Sequence, residues 1–279
     1  MMSDVTDQTA RHLAALEACL ADAGDIAIAV SGGVDSLTLA HVAHRVRGAR
    51  ASMVHAVSPA VPKAATARVK RHAEAAGWSL QILDAGEFGD EEYRRNPVNR
   101  CFHCKKNLYA SIAAETTGSL ASGTNTDDLG DFRPGLEAAR AQNVRHPFVE
   151  AGLDKQAVRA IAAHLGLDDI ATLPASPCLS SRVETGIRIA PDALAMIEQI
   201  EAMTVATLNP HTARCRLRKE AIVLELDETT LAALDEAASA RLLSAAMSLA
   251  ADHSVSRPIE LAPYRMGSAF LRDDNAGKT

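Results

Sequence analysis

The sequence predicts an α/β protein with a parallel sheet covered by helices on both faces, plus a smaller C-terminal α+β domain. Three observations lead to this prediction. An apolar strand-like run passes directly into a glycine turn and a helix at residues 26–36. Strand-like runs then alternate with helical patterns of about 10 to 15 residues, as in parallel sheets with right-handed crossovers. The order of elements changes near residue 188, so we divide the chain into domains 1–188 and 189–279.

The first domain begins with a helical pattern over residues 7–23, in which Leu13, Leu16 and Leu20 recur at helical spacing. Ligands bind beyond the C-terminal ends of parallel strands, and the turn at Ser31 lies at such an end. The further elements predicted for this domain are helices at 37–46, 63–76, 107–115 and 154–165, strands at 51–57, 80–84 and 119–123, and an edge strand near 145–149. Those predicted for the second domain are helices at 191–207 and 230–252, and strands at 213–218, 221–227 and 258–261.

Composition and charge limit the classes of function. The 279 residues are 47% hydrophobic and 23% charged, which is typical of a soluble globular protein. No apolar run approaches the ~20 residues of a membrane span, and the polar, acidic start is unlike a secretory signal, so we expect a cytoplasmic protein. The net charge of −6 argues against an extended nucleic-acid surface. A small basic strip is interpreted as the solvated face of a helix; it consists of Lys63, Arg68, Lys70 and Arg71.

The turn Ser-Gly-Gly-Val-Asp-Ser at residues 31–36 has the chemistry of a pyrophosphate cradle. Gly32 and Gly33 carry no Cβ, so the backbone N–H groups can approach an oxyanion closely. Ser31 and Ser36 add hydroxyl donors, and the helix that starts near Asp35 directs its positive end to the same place. No lysine occurs in residues 1–50, so the turn differs from a Walker A loop. A plain strand–turn–helix corner with capping serines is the alternative.

Three of the five cysteines form a further pattern. Cys101 and Cys104 are a Cys-x-x-Cys pair ahead of a helix, and Cys178 lies in a later loop. Three thiolates with one open position suit a [4Fe–4S] cluster. A zinc site completed by His103 or another group, a redox dithiol, and buried bystander thiols stay open as alternatives. Cys19 and Cys215 are interpreted as core or interface thiols.

The turn at residues 31–36 resembles the signature of the PP-loop ATP pyrophosphatases, which split ATP between the α- and β-phosphates and adenylylate a substrate. The motifs NPVNRCFHCK, GTNTDDLGDFRPG, HPFVEAGLDK and PASPCLSSR follow it in the order and spacing of one group of those enzymes. That group is the ATP-dependent sacrificial sulfur transferases of nickel-pincer nucleotide biosynthesis, the LarE family. The similarity continues at residues 214–216 and 264–268, and it implies an adenine nucleotide alpha hydrolase-like fold for the first domain.

The resemblance implies a reaction and a route for sulfur. In the family, carboxylates of a pyridinium biscarboxylate mononucleotide are adenylylated by ATP and converted to thiocarboxylates. In single-cysteine members the cysteine that matches Cys178 gives up its own sulfur, whereas three-cysteine members resemble enzymes whose iron–sulfur cluster carries a removable sulfide. We therefore expect Cys101, Cys104 and Cys178 to hold a [4Fe–4S] cluster. The resemblance further implies a homo-oligomer and an unidentified sulfide donor.

The resemblance also assigns roles residue by residue. Cys178 and Asp35 are the catalytic candidates, and Mg²⁺ accompanies ATP. The residues implied in nucleotide binding are Ser31, Gly32, Gly33, Asp35, Ser36, Asn125, Asp127 and Asp128. Those implied in substrate binding are Arg182, Arg214 and Arg216, of which the last two project from one face of a strand. Without the resemblance, Asn125 to Asp128 would be read as an Asx turn, Asp35 as a helix cap, and the arginine pair as a solvated strand face.

Two departures from the family pattern concern substrate binding and subunit packing. Val223 stands where an arginine is common, and Phe270 stands where an asparagine is usual. Two other functions compete with the sulfur transferase. Thiolation of a tRNA base is disfavoured by the lack of a basic surface or RNA module. A non-catalytic module that senses an adenylate or a cluster is disfavoured by the complete turn sequence.

Overall fold

The computed structural model describes residues 2–130 and 134–271, with residues 2–6 described as helical backbone only. The chain forms two compact units. The first unit consists of the residues up to Asp90 together with Cys101–Ser176, and the second consists of Glu91–Arg100 together with the residues from Pro177 onward. The division into folding domains at residue 188 stays a prediction, because a compact unit is defined by its contacts and not by independent folding.

Helices and strands alternate along the described chain. The helices are α1 Met2–Ala21, α2 Val34–Arg47, α3 Lys63–Ala76, α4 Glu91–Arg94, α5 Arg100–Glu115, α6 Pro134–Ala141, α7 Pro147–Glu150, α8 Lys155–His164, α9 Asp168–Ala171, α10 Pro191–Leu208, α11 Glu228–Ala232 and α12 Glu236–Asp252. The strands are β1 Ile26–Ala29, β2 Ala51–Val57, β3 Ser79–Asp84, β4 Ser119–Ser122, β5 Ala213–Leu217, β6 Ile222–Leu226 and β7 Ile259–Pro263. Short 3₁₀ turns occupy Gly48–Arg50, Glu87–Gly89, Thr126–Leu129 and Leu179–Arg182. Within residues 2–130 and 134–271, no helix has the length and apolar character that crossing a membrane requires.

The first unit contains a four-stranded sheet in the order β3-β2-β1-β4, and all of its strand pairs are parallel. Alternate residues of β1 enter different cores, because side chains of a strand point to opposite faces. Ile26 and Ile28 pack with residues of α1, α2 and α8, whereas Ala27 packs with residues of α5 and α6. Helices therefore cover both faces of a parallel sheet, and the predicted fold class is confirmed.

The second unit contains a separate three-stranded sheet in the order β5-β6-β7. The β5–β6 pair is antiparallel, with Arg214 opposite Glu225, and the β6–β7 pair is parallel. Helix α10 packs on β5, and α12 packs on α10 and β7. This mixture of helices and a small mixed sheet agrees with the predicted α+β character of the C-terminal region.

Three predicted elements differ from the structure. The helix expected over 107–115 begins at Arg100, so Cys101 and Cys104 lie within it and not ahead of it. The edge strand expected near 145–149 is a single bridge between Arg145 and Ala121, and the chain then turns into α7. Pro147 occupies the first turn of that helix, where its fixed φ is favourable and its missing N–H costs nothing. The single helix expected over 230–252 is two helices, because the Asp235 side chain caps a new N-terminus by accepting from the Ala238 N–H at 2.6 Å.

Candidate active site

The turn after β1 is closed by its own serines. The Val30 N–H donates to the Val54 carbonyl at 2.8 Å, which prolongs the pairing of β1 with β2 to the edge of the turn. The Ser36 hydroxyl oxygen accepts from the Ser31 N–H at 3.0 Å, lies 3.1 Å from the Ser31 hydroxyl and donates to the Gly33 carbonyl at 3.2 Å. Ser36 thus holds both ends of the turn together.

The two glycines of the turn are needed for different reasons. Gly32 has φ of 85°, and a Cβ there would lie 2.8 Å from the carbonyl oxygen of Ala65 in α3. Gly33 is the N-cap residue of α2, and no side chain caps that helix. The N–H groups of its first turn are therefore left for another acceptor, as at helix N-termini that bind anions. Gly32 permits close packing, and Gly33 leaves the helix end open.

Asp35, in the first turn of α2, joins two other predicted site segments. Its carboxylate accepts from the Asn125 side-chain amide at 3.2 Å and forms an ion pair with Lys155, the first residue of α8. The Lys155 N–H in turn donates to the Asp127 carboxylate at 3.2 Å. Asp35, Asn125 and Asp127 are thus brought together at the C-terminal edge of the sheet. Lys155 lies within the HPFVEAGLDK motif, but sequence reasoning gave it no role.

The segment after β4 has both of the roles that the sequence left open. The Asn125 side chain accepts from the Asp127 N–H at 3.1 Å, and Asp128 accepts from the Asn125 N–H at 3.1 Å, so the two residues form a capping box. Asn125 therefore makes an Asx turn and also contacts Asp35. A Cβ on Gly123 would lie 2.8 Å from the backbone of Asp35, so this glycine lets the segment reach α2. Residues 131–133, also in the GTNTDDLGDFRPG motif, lie outside the described residues.

His146 is a further residue at the end of β4 that the sequence did not single out. Its Nδ1 lies 3.0 Å from the Ser122 hydroxyl, which also lies 3.1 Å from the Thr124 hydroxyl. Burial lowers the pKa of His146 from its usual value, although Glu150 opposes the shift. A neutral imidazole therefore stands at the same sheet edge as the glycine turn.

The predicted sulfur ligands are divided between the units. Cys101 is exposed and Cys104 is half-buried in the first turn of α5, and their three-residue spacing puts them on one helix face. Cys178 is exposed and precedes the 3₁₀ turn of the second unit. Within the described ranges, no group of three or more His, Cys, Asp or Glu side chains is arranged to hold a metal ion. Convergence of the three thiols stays a prediction.

Arg182 clamps the loop that carries Cys178. Its side chain is 2% exposed, and its Nε and Nη2 each donate to the Glu201 carboxylate of α10 at 3.0 Å. Its Nη1 donates to the carbonyl of Pro177 at 2.5 Å and to that of Cys178 at 3.1 Å. Glu201 also accepts from the Cys215 N–H at 3.0 Å, so the clamp is anchored on β5. The guanidinium is engaged in holding the cysteine loop.

Arg214 and Arg216 lie on the same face of β5, as their spacing predicts. Arg216 donates to Glu225 at 3.0 Å and to the Ser181 carbonyl at 3.2 Å, so it is tied to the same loop. Glu225 also accepts from Arg218 at 3.0 Å and from the Ser268 hydroxyl at 2.5 Å. Burial lowers the pKa of Arg214, and the charges of Arg182 and Arg216 lower it further while Glu201 opposes them. The cationic neighbours make this place favourable for an anion.

The segment 91–100 belongs to the second unit because Asn96 fastens it there. Asn96 has φ of 58°, and its side-chain amide donates to the carbonyls of Glu184 and Ile187 at 2.9 and 3.0 Å. The Tyr93 hydroxyl lies 2.7 Å from the Ser180 hydroxyl. The residues that immediately precede Cys101 in sequence are therefore bonded to the loop that follows Cys178.

The fold and the glycine turn together define the class of protein: a PP-loop-like α/β protein with a second small sheet. No protein-family model matches the chain. It is 36% identical over 178 residues to an uncharacterized protein of Synechocystis, a match that covers 62% of this chain and 66% of that protein, just under two thirds. It is 27% identical over 180 residues to an uncharacterized protein of Methanocaldococcus jannaschii, covering 63% of this chain and 68% of that one.

A third relative carries a functional name. The chain is 29% identical over 223 residues to the pyridinium-3,5-bisthiocarboxylic acid mononucleotide synthase of Lactiplantibacillus plantarum. That match covers 78% of this chain and 80% of the synthase. The similarity supports a LarE-like family assignment for this chain.

Proposed function

We propose that this protein is an ATP-dependent sulfur transferase that converts carboxylates of a pyridinium biscarboxylate mononucleotide to thiocarboxylates. The observation that carries the proposal is the match to the bisthiocarboxylic acid mononucleotide synthase over 78% of the chain. The geometry of the glycine turn and of the arginine-rich face of β5 supports it independently, because each offers donors to an anion.

Activation of the carboxylate takes place at the turn of the first unit. The Ser31–Ser36 turn holds the β,γ-pyrophosphate of ATP while a carboxylate oxygen of the substrate attacks the α-phosphorus. The bond from that phosphorus to the bridging oxygen breaks, and pyrophosphate leaves with the electron pair. The product is an acyl-adenylate, in which AMP is a far better leaving group than the original oxygen. Donors positioned beforehand stabilise the charge that spreads during such a transfer.

The carboxylates beside the turn suit Mg²⁺, a hard cation that prefers oxygen ligands. Asp35 and Asp127 would hold it, since both lie in the network at the C-terminal sheet edge. Magnesium would neutralise phosphate charge during transfer. Lys155 supplies the cation that the turn lacks in its own sequence, because its ammonium is already paired with Asp35 beside the turn.

The arginines of the second unit have two different proposed roles. Arg214 would bind the substrate phosphate, since a guanidinium group matches its oxygens bidentately. Arg216 would assist through its positive charge, because its guanidinium also donates to Glu225 and to the carbonyls of Ser181 and Arg265. Arg182 instead positions Cys178, because its guanidinium donates to Glu201 and to the carbonyls of Pro177 and Cys178 in the cysteine loop. The resemblance implied that Arg182 helps to place the substrate phosphate or the adenylate, and we propose instead that it holds the loop.

Sulfur delivery has two routes that use Cys178. In the favoured one, Cys101, Cys104 and Cys178 hold a [4Fe–4S] cluster, whose chemistry would be to carry a sulfide that attacks the acyl carbon while AMP leaves. An unidentified sulfide donor then restores the sulfide. In the other, the Cys178 thiolate attacks the acyl carbon and AMP leaves, which gives a thioester. Removal of the Cys178 α-proton then breaks the Cβ–S bond, so that the thiocarboxylate leaves with the sulfur and dehydroalanine remains. The three thiolates would fill three of the four iron positions of such a cluster and leave the fourth for the sulfide.

Pyrophosphate release tests the proposed reaction. The full chain, purified anaerobically, is expected to release pyrophosphate from Mg-ATP only when the biscarboxylate mononucleotide is present, and mass spectrometry should show oxygen replaced by sulfur in the product. Asp35→Asn should abolish release, whereas Asp22→Asn, at an exposed position, should not. Sulfur found in tRNA and not in the mononucleotide would favour tRNA thiolation. Absence of release with any carboxylated pyridine nucleotide would favour a sensing module.

Metal analysis separates the sulfur routes. The cluster route predicts stoichiometric iron and acid-labile sulfide, and a visible chromophore that Cys104→Ala removes and Cys19→Ala keeps. Zinc at one equivalent without iron would contradict it. Conversion of Cys178 to dehydroalanine in step with product would support the sacrificial route. The cytoplasmic location and the homo-oligomer remain predictions for fractionation and light scattering to check.

A further inference from the structure

Helix α3 packs against the glycine turn, although the sequence assigned its basic residues only to solvent. Ala65 lies so close to Gly32 that a Cβ on the glycine would be 3.1 Å from the Cβ of Ala65 and 2.8 Å from its carbonyl oxygen. Arg68, one turn further along α3, donates from Nη1 to the Gly32 carbonyl at 2.8 Å. The same face of one helix therefore contacts the turn twice.

A third contact reaches the turn through a buried histidine. His55 of β2 is fully buried, with Nδ1 2.7 Å from the Val30 carbonyl and Nε2 2.9 Å from the Thr66 hydroxyl of α3. A carbonyl only accepts, so Nδ1 carries the hydrogen and Nε2 accepts from the threonine. Burial lowers the pKa of His55, which keeps this neutral form. The carbonyls of Val30 and Gly32 are thus both held toward α3.

Holding a carbonyl fixes the direction of the next N–H group. A trans peptide is planar, so the C=O of one residue and the N–H of the next point in opposite directions. The Val30–Ser31 peptide obeys this rule: its carbonyl accepts from His55, and its N–H donates to the Ser36 hydroxyl at 3.0 Å. By the same geometry, the Gly32 carbonyl points to Arg68 and the Gly33 N–H points away from α3.

We propose that Arg68 is a positioning residue for pyrophosphate. By binding the Gly32 carbonyl, it turns the 32–33 peptide so that the Gly33 N–H joins the open N-terminus of α2 as an anion donor. It also keeps the negative end of the carbonyl dipole away from the anion. The inference rests on the proposed function for the identity of the anion, and it adds a side chain outside the turn that sets the shape of the turn.

A matched pair of variants tests this role. Arg68→Gln and Arg71→Gln each remove one positive charge from α3, and Arg71 is exposed. Calorimetry with the full chain and magnesium pyrophosphate is expected to show affinity about tenfold weaker for Arg68→Gln, the effect of losing one charge-assisted hydrogen bond. Arg71→Gln should stay within about twofold, as for a solvated charge. Arg68→Lys, which keeps a cationic donor, should recover most of the affinity.

The amide resonance of Gly33 in the ligand-free protein gives a second readout. Arg68→Gln should shift it before any anion is added, because the peptide itself turns; a direct contact between Arg68 and phosphate predicts no such shift. Equal weakening by Arg71→Gln would overturn the proposal, as would unchanged pyrophosphate affinity in Arg68→Gln. If the unsubstituted protein binds no pyrophosphate or ATP, the proposed function itself is wrong, and the two failures are thereby distinguished.

Discussion

The glycine turn of the first unit and the arginine-rich face of the second both offer N–H donors to an anion, but they are built differently. The turn presents backbone donors, and its critical residues are glycines and serines. The second unit uses guanidinium groups, and two of them are paired with glutamates: Arg216 of β5 with Glu225, and Arg182 of the cysteine loop with Glu201. The glycine turn depends on the absence of bulky side chains, and the face of β5 depends on the positive charges of its side chains.

This difference determines which substitutions each region tolerates. A backbone site needs room and a defined φ, so an added methyl group in the turn should remove binding, whereas loss of one neighbouring charge should only weaken it. In a buried network, each charge needs an opposite charge beside it. Replacement of one partner by a neutral side chain of the same shape therefore destabilises the network, although the packing is unchanged. Four experiments separate these two kinds of sensitivity, starting with the largest expected effect.

Glu201→Gln should destabilise the second unit by about 3 kcal/mol, because it leaves the buried Arg182 guanidinium without its counter-charge. Arg182 is 2% exposed and Glu201 is 14% exposed, so water compensates little of the loss. The measurement is urea unfolding followed by far-UV circular dichroism. Glu220→Gln, at an exposed turn, is the control and should change stability by less than about 0.5 kcal/mol. Equal effects of the two variants would show that charge balance does not govern this region.

Gly32→Ala should destabilise the first unit by about 2 kcal/mol and remove measurable pyrophosphate binding, because its Cβ meets the Ala65 backbone and its φ is strained. Gly77→Ala is matched for backbone conformation: φ is 66° at the end of α3, but nothing lies within 4 Å of its Cβ. That control should cost about 1 kcal/mol and keep full affinity. Pyrophosphate binding that survives in Gly32→Ala would contradict a site made of closely packed backbone.

Lys155→Gln tests the cation that pairs with Asp35 beside the turn. Because the Lys155 and Asp35 side chains are 35% and 24% exposed, their ion pair should contribute less than about 1 kcal/mol to stability. Affinity for magnesium pyrophosphate should fall about tenfold, since the proposed interaction of the Lys155 ammonium with phosphate is lost. Lys106→Gln, at an exposed position of α5, is the control. A large loss of stability without a loss of affinity would make Lys155 a structural residue.

Acid should weaken the two units in different pH windows. Burial and the neighbouring His72 lower the pKa of His41 to about 4, while Asp169 opposes them. The contribution of neutral His41 to the stability of the first unit is therefore complete above pH 6.5 and is lost as the pH falls toward 4. Backbone N–H groups of Thr230 and Thr212 lower the pKa of Asp227 to about 2, so its contribution is complete above pH 3.8 and is lost toward 2.

We place these effects last, because His41 is only partly buried and solvent therefore reduces what its pKa shift contributes to stability. Trp78, whose ring centroid is 4.6 Å from that of His41, reports the first unit by fluorescence, and hydrogen exchange at β5 and β6 reports the second. His41→Gln should abolish the loss of stability of the first unit between pH 6.5 and 4, and should leave the pH dependence of the second unit unchanged. If both units lose stability over the same pH range in that variant, the assignment of the windows is wrong.

The sequence predicted most of the fold because its pattern is local. The strand before Ser31, the helix at 63–76 and the strand at 51–57 follow from apolar periodicity and glycine turns alone, and the structure has the last two with the same bounds. The error near 145–149 arose because Pro147 starts a helix inside a run that reads as a strand. The motifs of the site were recognisable in sequence for the same reason, since each is a short contiguous string.

The residues that contact those motifs could not be predicted from the sequence. Lys155 lies 120 residues from Asp35 in sequence, and Arg68 lies 36 residues from Gly32. No periodicity or spacing relates such pairs, because they meet only where separate helices approach the same sheet edge. The resemblance implied that Arg182 helps to place the substrate phosphate or the adenylate, but no sequence pattern could reveal its pairing with Glu201 of α10.

The amino-acid sequence by itself thus determined the parallel sheet, the glycine turn at its edge and the family resemblance. Backbone preferences and the alternation of apolar and polar residues are set within a few neighbouring residues, so they can be recognised without the tertiary structure. Only the tertiary structure determined which charged side chains pair with each other and which backbone carbonyls of the glycine turn accept hydrogen bonds from distant residues. Those choices depend on contacts between distant segments, where burial strengthens electrostatic interactions and makes an unpaired group costly.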